Sequence, residues 1–214
     1  MNQIVAEKRY IQERLGIPYE NLSQSYLRAE TQLTNLSQYA FLLQRGQVAN
    51  PIVTERLLKL NDQFVITHFT VGLKLIEVGE LNPDPTDVQH LVAPVRTFTN
   101  LNVFTGNNAN VAALYNSNFS WIIDRKQYLP TFPLRSFLRV PTTQEGTIPA
   151  PELAADGYDN GLYAFYPCEP TLIDGRQTLD INAELGAAVN MVEAEFYVSA
   201  VMEVRGYLVV NAKS

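Results

Sequence analysis

Period-two alternation is the feature that most narrows the folds open to this chain. From Thr178 to Leu185, the residues Leu179, Ile181, Ala183 and Leu185 point one way, and Thr178, Asp180, Asn182 and Glu184 the other. Glu193 to Val210 repeats the pattern, with Ala194, Phe196, Val198, Ala200, Met202, Val204, Leu208 and Val210 on one side. Within Phe64 to Ile76, Val65, Phe69, Val71, Leu73 and Leu75 share one parity, and Phe119, Trp121 and Ile123 form a shorter ridge. One apolar face per strand is the pattern of half-buried antiparallel strands; the strands of a parallel sheet, covered on both faces, read as continuous apolar runs. Turn residues separate these runs: Gly79, Asn82-Pro83-Asp84-Pro85, Gly106-Asn107-Asn108, Pro130 with Pro133, Asp156-Gly157 and Asp174-Gly175. Ile173-Asp174-Gly175-Arg176 predicts a hairpin, and Asn110 to Tyr115 a single helical turn. No helix alternates with the strands, so residues 61–214 are expected to form a mainly β domain, an antiparallel β-sandwich. The loops at 79–94 and 141–161 exceed what a minimal sandwich needs, and loops of that length are usually functional or ordered by a partner.

Residues 1–60 read differently. Tyr19, Leu22, Tyr26, Ala29, Leu33, Leu36, Ala40 and Leu43 recur at spacings of 3 and 4, a seven-residue repeat that predicts one face of a helix. Pro18 stands at its start and Gly46 where it would stop. Ile4, Tyr10, Ile11 and Leu15 predict a shorter helix before it, ending at Gly16-Ile17-Pro18. Asn50-Pro51 reads as the cap and first turn of a third helix carrying Leu57, Leu58 and Leu60. The expected arrangement is thus a helical N-terminal arm, 1–60, on a sandwich, 61–214. Two partners are open to the eight-residue stripe: the chain's own sandwich, or a neighbouring copy. Alanine and tyrosine at half its positions suit docking on a sheet or in a multi-helix cluster better than a two-stranded zipper.

Composition narrows the function classes. The 214 residues include 46% hydrophobic and only 18% charged side chains, with net charge −6, enough apolar material for a core and too little charge for a disordered chain. Seventeen Asn, 12 Gln and 15 Thr make the surface largely neutral and polar, which suits protein–protein packing. Residues 1–60 carry seven basic and five acidic groups and residues 150–214 three basic and ten acidic, an asymmetry unlike an arginine-rich nucleic-acid arm. No apolar run reaches the length of a membrane span, and no apolar stretch after Met1-Asn2-Gln3-Ile4 makes a signal peptide.

Candidate chemistry is sparse. Asp84, Asp87 and His90 have metal-like spacing, but Pro83 and Pro85 make that segment a loop. Asp156-Gly157-Tyr158-Asp159-Asn160-Gly161 lacks the alternating ligands and closing glutamate of a calcium loop. No Gly-x-Ser-x-Gly elbow occurs, and His68 falls mid-strand. Cys168, the lone cysteine, excludes an intrachain disulfide and reads as a small buried hydrophobe. Glu193 and Glu195 share a polar strand face. Gly106-Asn107-Asn108 lacks the ending of a phosphate loop. The aromatic groups Tyr158, Tyr163, Phe165, Tyr166 and Tyr128, Phe132, Phe137 suit core or interface packing, with sugar stacking as the functional alternative. No catalytic residue, metal or cofactor is expected.

The block Thr97-Phe98-Thr99-Asn100-Leu101-Asn102-Val103-Phe104-Thr105-Gly106 leads through Ala112-Ala113-Leu114-Tyr115-Asn116-Ser117-Asn118-Phe119-Ser120 to Phe137-Leu138-Arg139-Val140-Pro141-Thr142-Thr143-Gln144. Pro170-Thr171-Leu172-Ile173-Asp174-Gly175 and Arg205-Gly206-Tyr207-Leu208-Val209-Val210-Asn211 follow. Taken together over 60–214, in style and block order, these resemble bacteriophage virion structural proteins of the jelly-roll type. The resemblance implies a capsid or capsid-associated subunit in a virion, made in the host cytoplasm, partnered by copies of itself and other virion proteins, and doing no chemistry. The basic N-terminal tail of many genome-packaging coat proteins is missing. A second reading is a glycan- or host-surface-binding sandwich using the tyrosines of 141–166. On the first reading, removing residues 1–50 is expected to leave a folded β-protein unable to assemble.

Overall fold

The computed structural model describes residues 3–77, 95–96, 108–137, 165–191 and 196–209. It opens with helix α1, Gln3–Leu15, and continues through strands β1 Leu22–Gln32, β2 Leu36–Ala40, β3 Gln63–Glu77 and β4 Val95–Arg96. Helix α2, Asn108–Tyr115, precedes β5 Asn118–Ile123, β6 Lys126–Pro133, β7 Tyr166–Asp174, β8 Leu179–Val189 and β9 Phe196–Val209. Sheet one runs β1-β9-β3, with β7 and the two-residue β4 dividing the far side of β3; sheet two runs β2-β8-β5-β6. Every pairing between strands is antiparallel. Leaving β4 aside, the other eight strands pair first with last (β1:β9), second with seventh (β2:β8), third with sixth (β3:β7) and fourth with fifth (β5:β6). That nested order is the jelly roll, a double-sheet β-sandwich that limits open strand edges.

The sheets face each other across one core. Leu27, Ala29, Phe69, Val71, Val198 and Met202 of sheet one meet Tyr39, Phe119, Trp121, Ile181 and Ala183 of sheet two. Phe69 is the hub: its ring stacks on Phe119 at 5.9 Å and stands edge-on to Trp121, Phe132 and Phe137 at 6.2, 5.3 and 5.6 Å. Such offset and edge-to-face pairs bind across the core beyond what area burial alone provides.

The alternation in β8 and the Phe119-Trp121-Ile123 ridge of β5 stand as expected, with those residues buried. In β3 one parity shifts. The pairing with β9 slips between Ile66 and His68, a bulge that spends one residue without advancing the partner. Phe64 and Ile66 before it and Phe69, Val71 and Leu73 after it all face the main core, whereas Val65 turns outward to a second cluster under α1. Asp174-Gly175 is a turn, Gln177 N–H donating to the Asp174 carbonyl. It is not a hairpin, because β7 lies in sheet one and β8 in sheet two; the turn carries the chain across the sandwich. Asn110–Tyr115 belongs to the longer helix α2.

The helix expected over residues 19–45 is not there. Tyr19–Asn21 is one 3-10 turn, and the rest is β1, β2 and their connections. The heptad-like spacing has a physical cause: β1 is covered on both faces. Its inner face buries Leu27 and Ala29, with Leu33 just beyond; its outer face buries Leu22 beneath α1 and Glu30 beneath residues 50–56. Two overlapping period-two patterns merge into spacings of 3 and 4. Residues 50–60 form a loop with isolated bridges rather than a third helix. Of the helical arm's described residues only α1 is α-helix, and a cut at residue 50 removes the first and second strands of the nested set, so a folded remainder is no longer expected.

Gly206 supplies a test. It lies opposite Ile66 beside the bulge, where an added Cβ would collide with the Val65 carbonyl oxygen, a backbone atom that cannot swing away. Gly206→Ala should cost about 3 kcal/mol and lower Tm by about 6–12 °C in a thermal melt; an unchanged melt would show that the two strands do not approach this closely.

Candidate functional site

α1 lies on the outer face of sheet one, and its apolar side explains why. Ile11 of α1, with Ile17 just beyond the helix, joins Leu22, Val65, Tyr207 and Val209 in a small cluster of their own, and Leu15 packs against it. Polar clamps fix the helix beyond that: Tyr207 Oη donates to Glu7 Oε2 at 2.6 Å, Lys8 Nζ stands 4.8 Å from the Tyr19 ring, and Arg14 pairs with Glu169. Burial, reinforced by Glu7, pushes the Tyr207 hydroxyl above its ordinary pKa, so it remains a donor.

Beside α1 a groove of about 540 Å³ opens, lined by Glu7, Tyr26, Arg28, His68, Glu203 and Arg205 among others. Its charges are spent on neighbours. Arg205 Nε donates to Glu203 at 3.2 Å while its guanidinium lies 3.7 Å from the Phe165 ring centre. Arg28 Nη2 donates to Glu30 at 2.6 Å, and the Arg56 guanidinium sits 4.7 Å over Tyr26. His68 is mid-strand as expected, at the bulge. Thr67 Oγ1 lies 2.9 Å from its Nδ1, and Glu7 Oε1 lies 3.9 Å from the same nitrogen. A nucleophile–base–orienter relay uses the two ring nitrogens separately, and both neighbours here compete for one.

A second charged group lies deeper. Lys74 of β3 and Glu30 of β1 have fully buried side chains, their Nζ and Oε2 3.2 Å apart. Lys74 also reaches Thr54 Oγ1 at 3.2 Å, and Thr54 donates to Glu30. Glu55 completes the cover by accepting from the Glu30 and Ile52 backbone N–H groups at 2.9 and 2.8 Å. Burial pulls the Lys74 pKa down, with Glu30 opposing, and pushes the Glu55 carboxyl up. The sequence hides this network. Lys74 stands on the polar parity of β3, and nothing local shows that residues 50–56 fold over it.

The eight stripe residues do not come together. Leu22 is buried under α1, Ala29, Leu33 and Leu43 are in the main core, Tyr19 is half-buried, and Tyr26, Leu36 and Ala40 are exposed. Cys168 is half-buried on β7, and burial raises its pKa to about 12. Phe132, Phe137 and Tyr166 pack on one another, and the Tyr166 hydroxyl donates to the Ser136 carbonyl, so these aromatics are structural. A cleft of about 400 Å³ opens where β6 and β7 flank the core, lined by Trp121, Lys126, Tyr128 and Leu129 among others. Asp84, Asp87, His90, 156–161, Tyr158, Tyr163, Glu193 and Glu195 lie outside the described residues. Among the described residues no group of three His, Cys, Asp or Glu side chains is placed to hold a metal, and no helix is long and apolar enough to cross a membrane. No known protein family matches the chain, and neither a curated protein nor a solved structure matches it significantly.

Two outcomes follow from these environments. Lys74→Met leaves the buried Glu30 charge short of a partner and should cost about 3 kcal/mol; adding Glu30→Gln should recover at least half, because the amide oxygen still accepts from Arg28 and Thr54. Because the folded Lys74 releases its proton below 10.5 while the unfolded chain retains it, stability contributed at this site rises with pH as 10.5 is approached from below. Chemical denaturation across that range should show the rise flattened in Lys74→Met, and equal slopes would count against a buried amine. For Cys168, a pKa of about 12 leaves thiolate on the order of one part in ten thousand at pH 8. Labelling by a disulfide reagent should be slow in the folded chain and fast after denaturation.

Proposed function

We propose that this chain is a structural subunit of a self-assembling phage particle, as capsid or capsid-associated protein. The observation that carries the reading is the nested pairing of eight of its strands, the jelly roll used by viral capsid domains and also by lectins and cupins. Fold alone does not give function, so the surface has to choose among these. In the groove beside α1 the arginines are engaged by Glu203, Glu30 and aromatic rings, and the thiol of Cys168 is held protonated. A block whose groove arginines are already engaged, with an amide-rich exterior, joins neighbours through shape and apolar contact, without heavy desolvation of charge. The phage assignment itself comes from the sequence blocks of 97–144, 170–175 and 205–211.

α1 and the β-strands have separate roles in this reading. The nested strands form the rigid wall. Closed assemblies repeat one or a few interfaces by symmetry, which a rigid block of this kind supplies in identical copies.

Light scattering and negative-stain microscopy of the full chain over a rising concentration series test the proposal. Discrete larger species that grow with concentration are expected. A strictly monomeric protein that binds a glycan saturably would replace this reading with the glycan-binding one.

A further inference from the structure

The open edges of the sandwich are not alike. β6 carries Pro130 and Pro133, and β7 carries Pro167 and Pro170, residues with no N–H to offer an added strand. β1 is closed at its middle: Arg28 and Arg56 exchange backbone hydrogen bonds of 2.8 and 2.9 Å, and Glu30 N–H donates to Glu55 at 2.9 Å. β4 is two residues long. Among the described residues, β2 has none of these protections. It reads Leu36-Ser37-Gln38-Tyr39-Ala40, ends its sheet, and lies in a stretch from Thr31 to Gln44 without a single charge or proline.

Its backbone is turned for pairing. Phe41 N–H donates to the Ile181 carbonyl at 2.8 Å, and Tyr39 stands opposite Ala183 two residues earlier. Antiparallel alternation therefore points the backbone groups of Tyr39 and Phe41 at β8 and those of Gln38 and Ala40 at the open side. The bulge between Leu36 and Gln38 falls at the start of the strand and leaves this run regular. Leu36 is 52% exposed, and Gln38 and Ala40 are exposed with it.

We infer that β2 is the edge through which two copies of this chain pair, antiparallel about a two-fold axis, joining their second sheets into one. The inference rests on the self-assembly reading and names one of its contacts. With the two-fold axis at Tyr39, between the outward-facing Gln38 and Ala40, each of these two faces the other's copy and lies diagonal to its own, so a charge at either would sit near a like charge. β2 is neutral throughout, which avoids that repulsion, and it carries nothing that would select an acidic or a basic partner. Five residues bury less than the ~1,200–2,000 Å² of a stable dimer, which makes the contact weak singly and effective when repeated.

The experiment is sedimentation velocity of the full chain over a concentration series, alone and as Ala40→Lys, Ala40→Glu and Gln38→Lys. Circular dichroism, and the emission of Trp121, the single tryptophan, 2% exposed in the core, report whether each variant is folded. The wild type is expected to associate, and each folded variant to do so about tenfold or more weakly. An equimolar mixture of Ala40→Lys and Ala40→Glu is expected to regain association at low salt. Should the position 40 variants misfold, Gln38→Lys decides alone. Variants that associate like the wild type, or a mixture that regains nothing, overturn pairing through β2 and leave assembly through another contact standing. A wild type that remains monomeric at every concentration overturns both.

Discussion

The fold depends on the ladder between β3 and β9. The nested pairs β1:β9 and β3:β7 would be two separate ribbons if β3 did not also pair with β9 from Gln63 to Glu77. In sheet two, β5 paired with β8 does the same for β5:β6 and β2:β8. All of these contacts except β5:β6 join residues far apart in the chain, so loop-closure entropy is lost before the ladders form. What offsets it is that both faces of the β3–β9 pair are covered: Phe69, Val71, Val198 and Met202 face the main core, and Val65, Tyr207 and Val209 face α1.

Covering the outer face has a consequence for charge. Where α1 and residues 50–56 lie over sheet one, outward side chains are taken out of water. Lys74 and Glu30 are tolerated there only because Arg28 and Thr54 also reach Glu30. At the other end Tyr207 and Glu7 form the equivalent clamp. Sheet one is thereby made thick on its outside, with the Lys74, Glu30 and Arg28 charges engaged on one another and the buried Thr70 and Ser199 hydroxyls left without a hydrogen-bond partner. Among the described residues, sheet two has no comparable cover over β2.

Legibility in the sequence followed coverage. β8 has one wet face, and alternation alone revealed it: Asp180 and Glu184 outside, Leu179 and Ile181 inside; the Phe119-Trp121-Ile123 ridge of β5 was legible because Ser120 on its other face is polar, although it too is buried. β1 is wrapped on both sides, and its true pattern was hidden in a false heptad. β3 was recognised as a strand, but one parity error at Val65 came from a bulge that no local spacing announces. The polar groove and the Lys74–Glu30 pair were invisible because their members come from α1, β1, β3, β9 and residues 50–56. The aromatics of 128–137 and Cys168 read as packing residues, and Phe132, Phe137, Tyr166 and the half-buried thiol lie against the core, whereas Tyr128 is exposed beneath Lys126.

Alternation, turn residues and a low charge content determined a mainly antiparallel β-protein with a short leading helix, because side-chain period and turn chemistry are local properties of the chain. Tertiary structure decided which strands share a sheet, sending the Asp174-Gly175 turn across the sandwich where local chemistry suggested a hairpin. It also decided that residues 22–40 are strands, since burial of Leu22 and Glu30 on one face and of Leu27 and Ala29 on the other exists only once α1 and residues 50–56 have been laid over the sheet. Local periodicity cannot anticipate a cover supplied by another part of the chain.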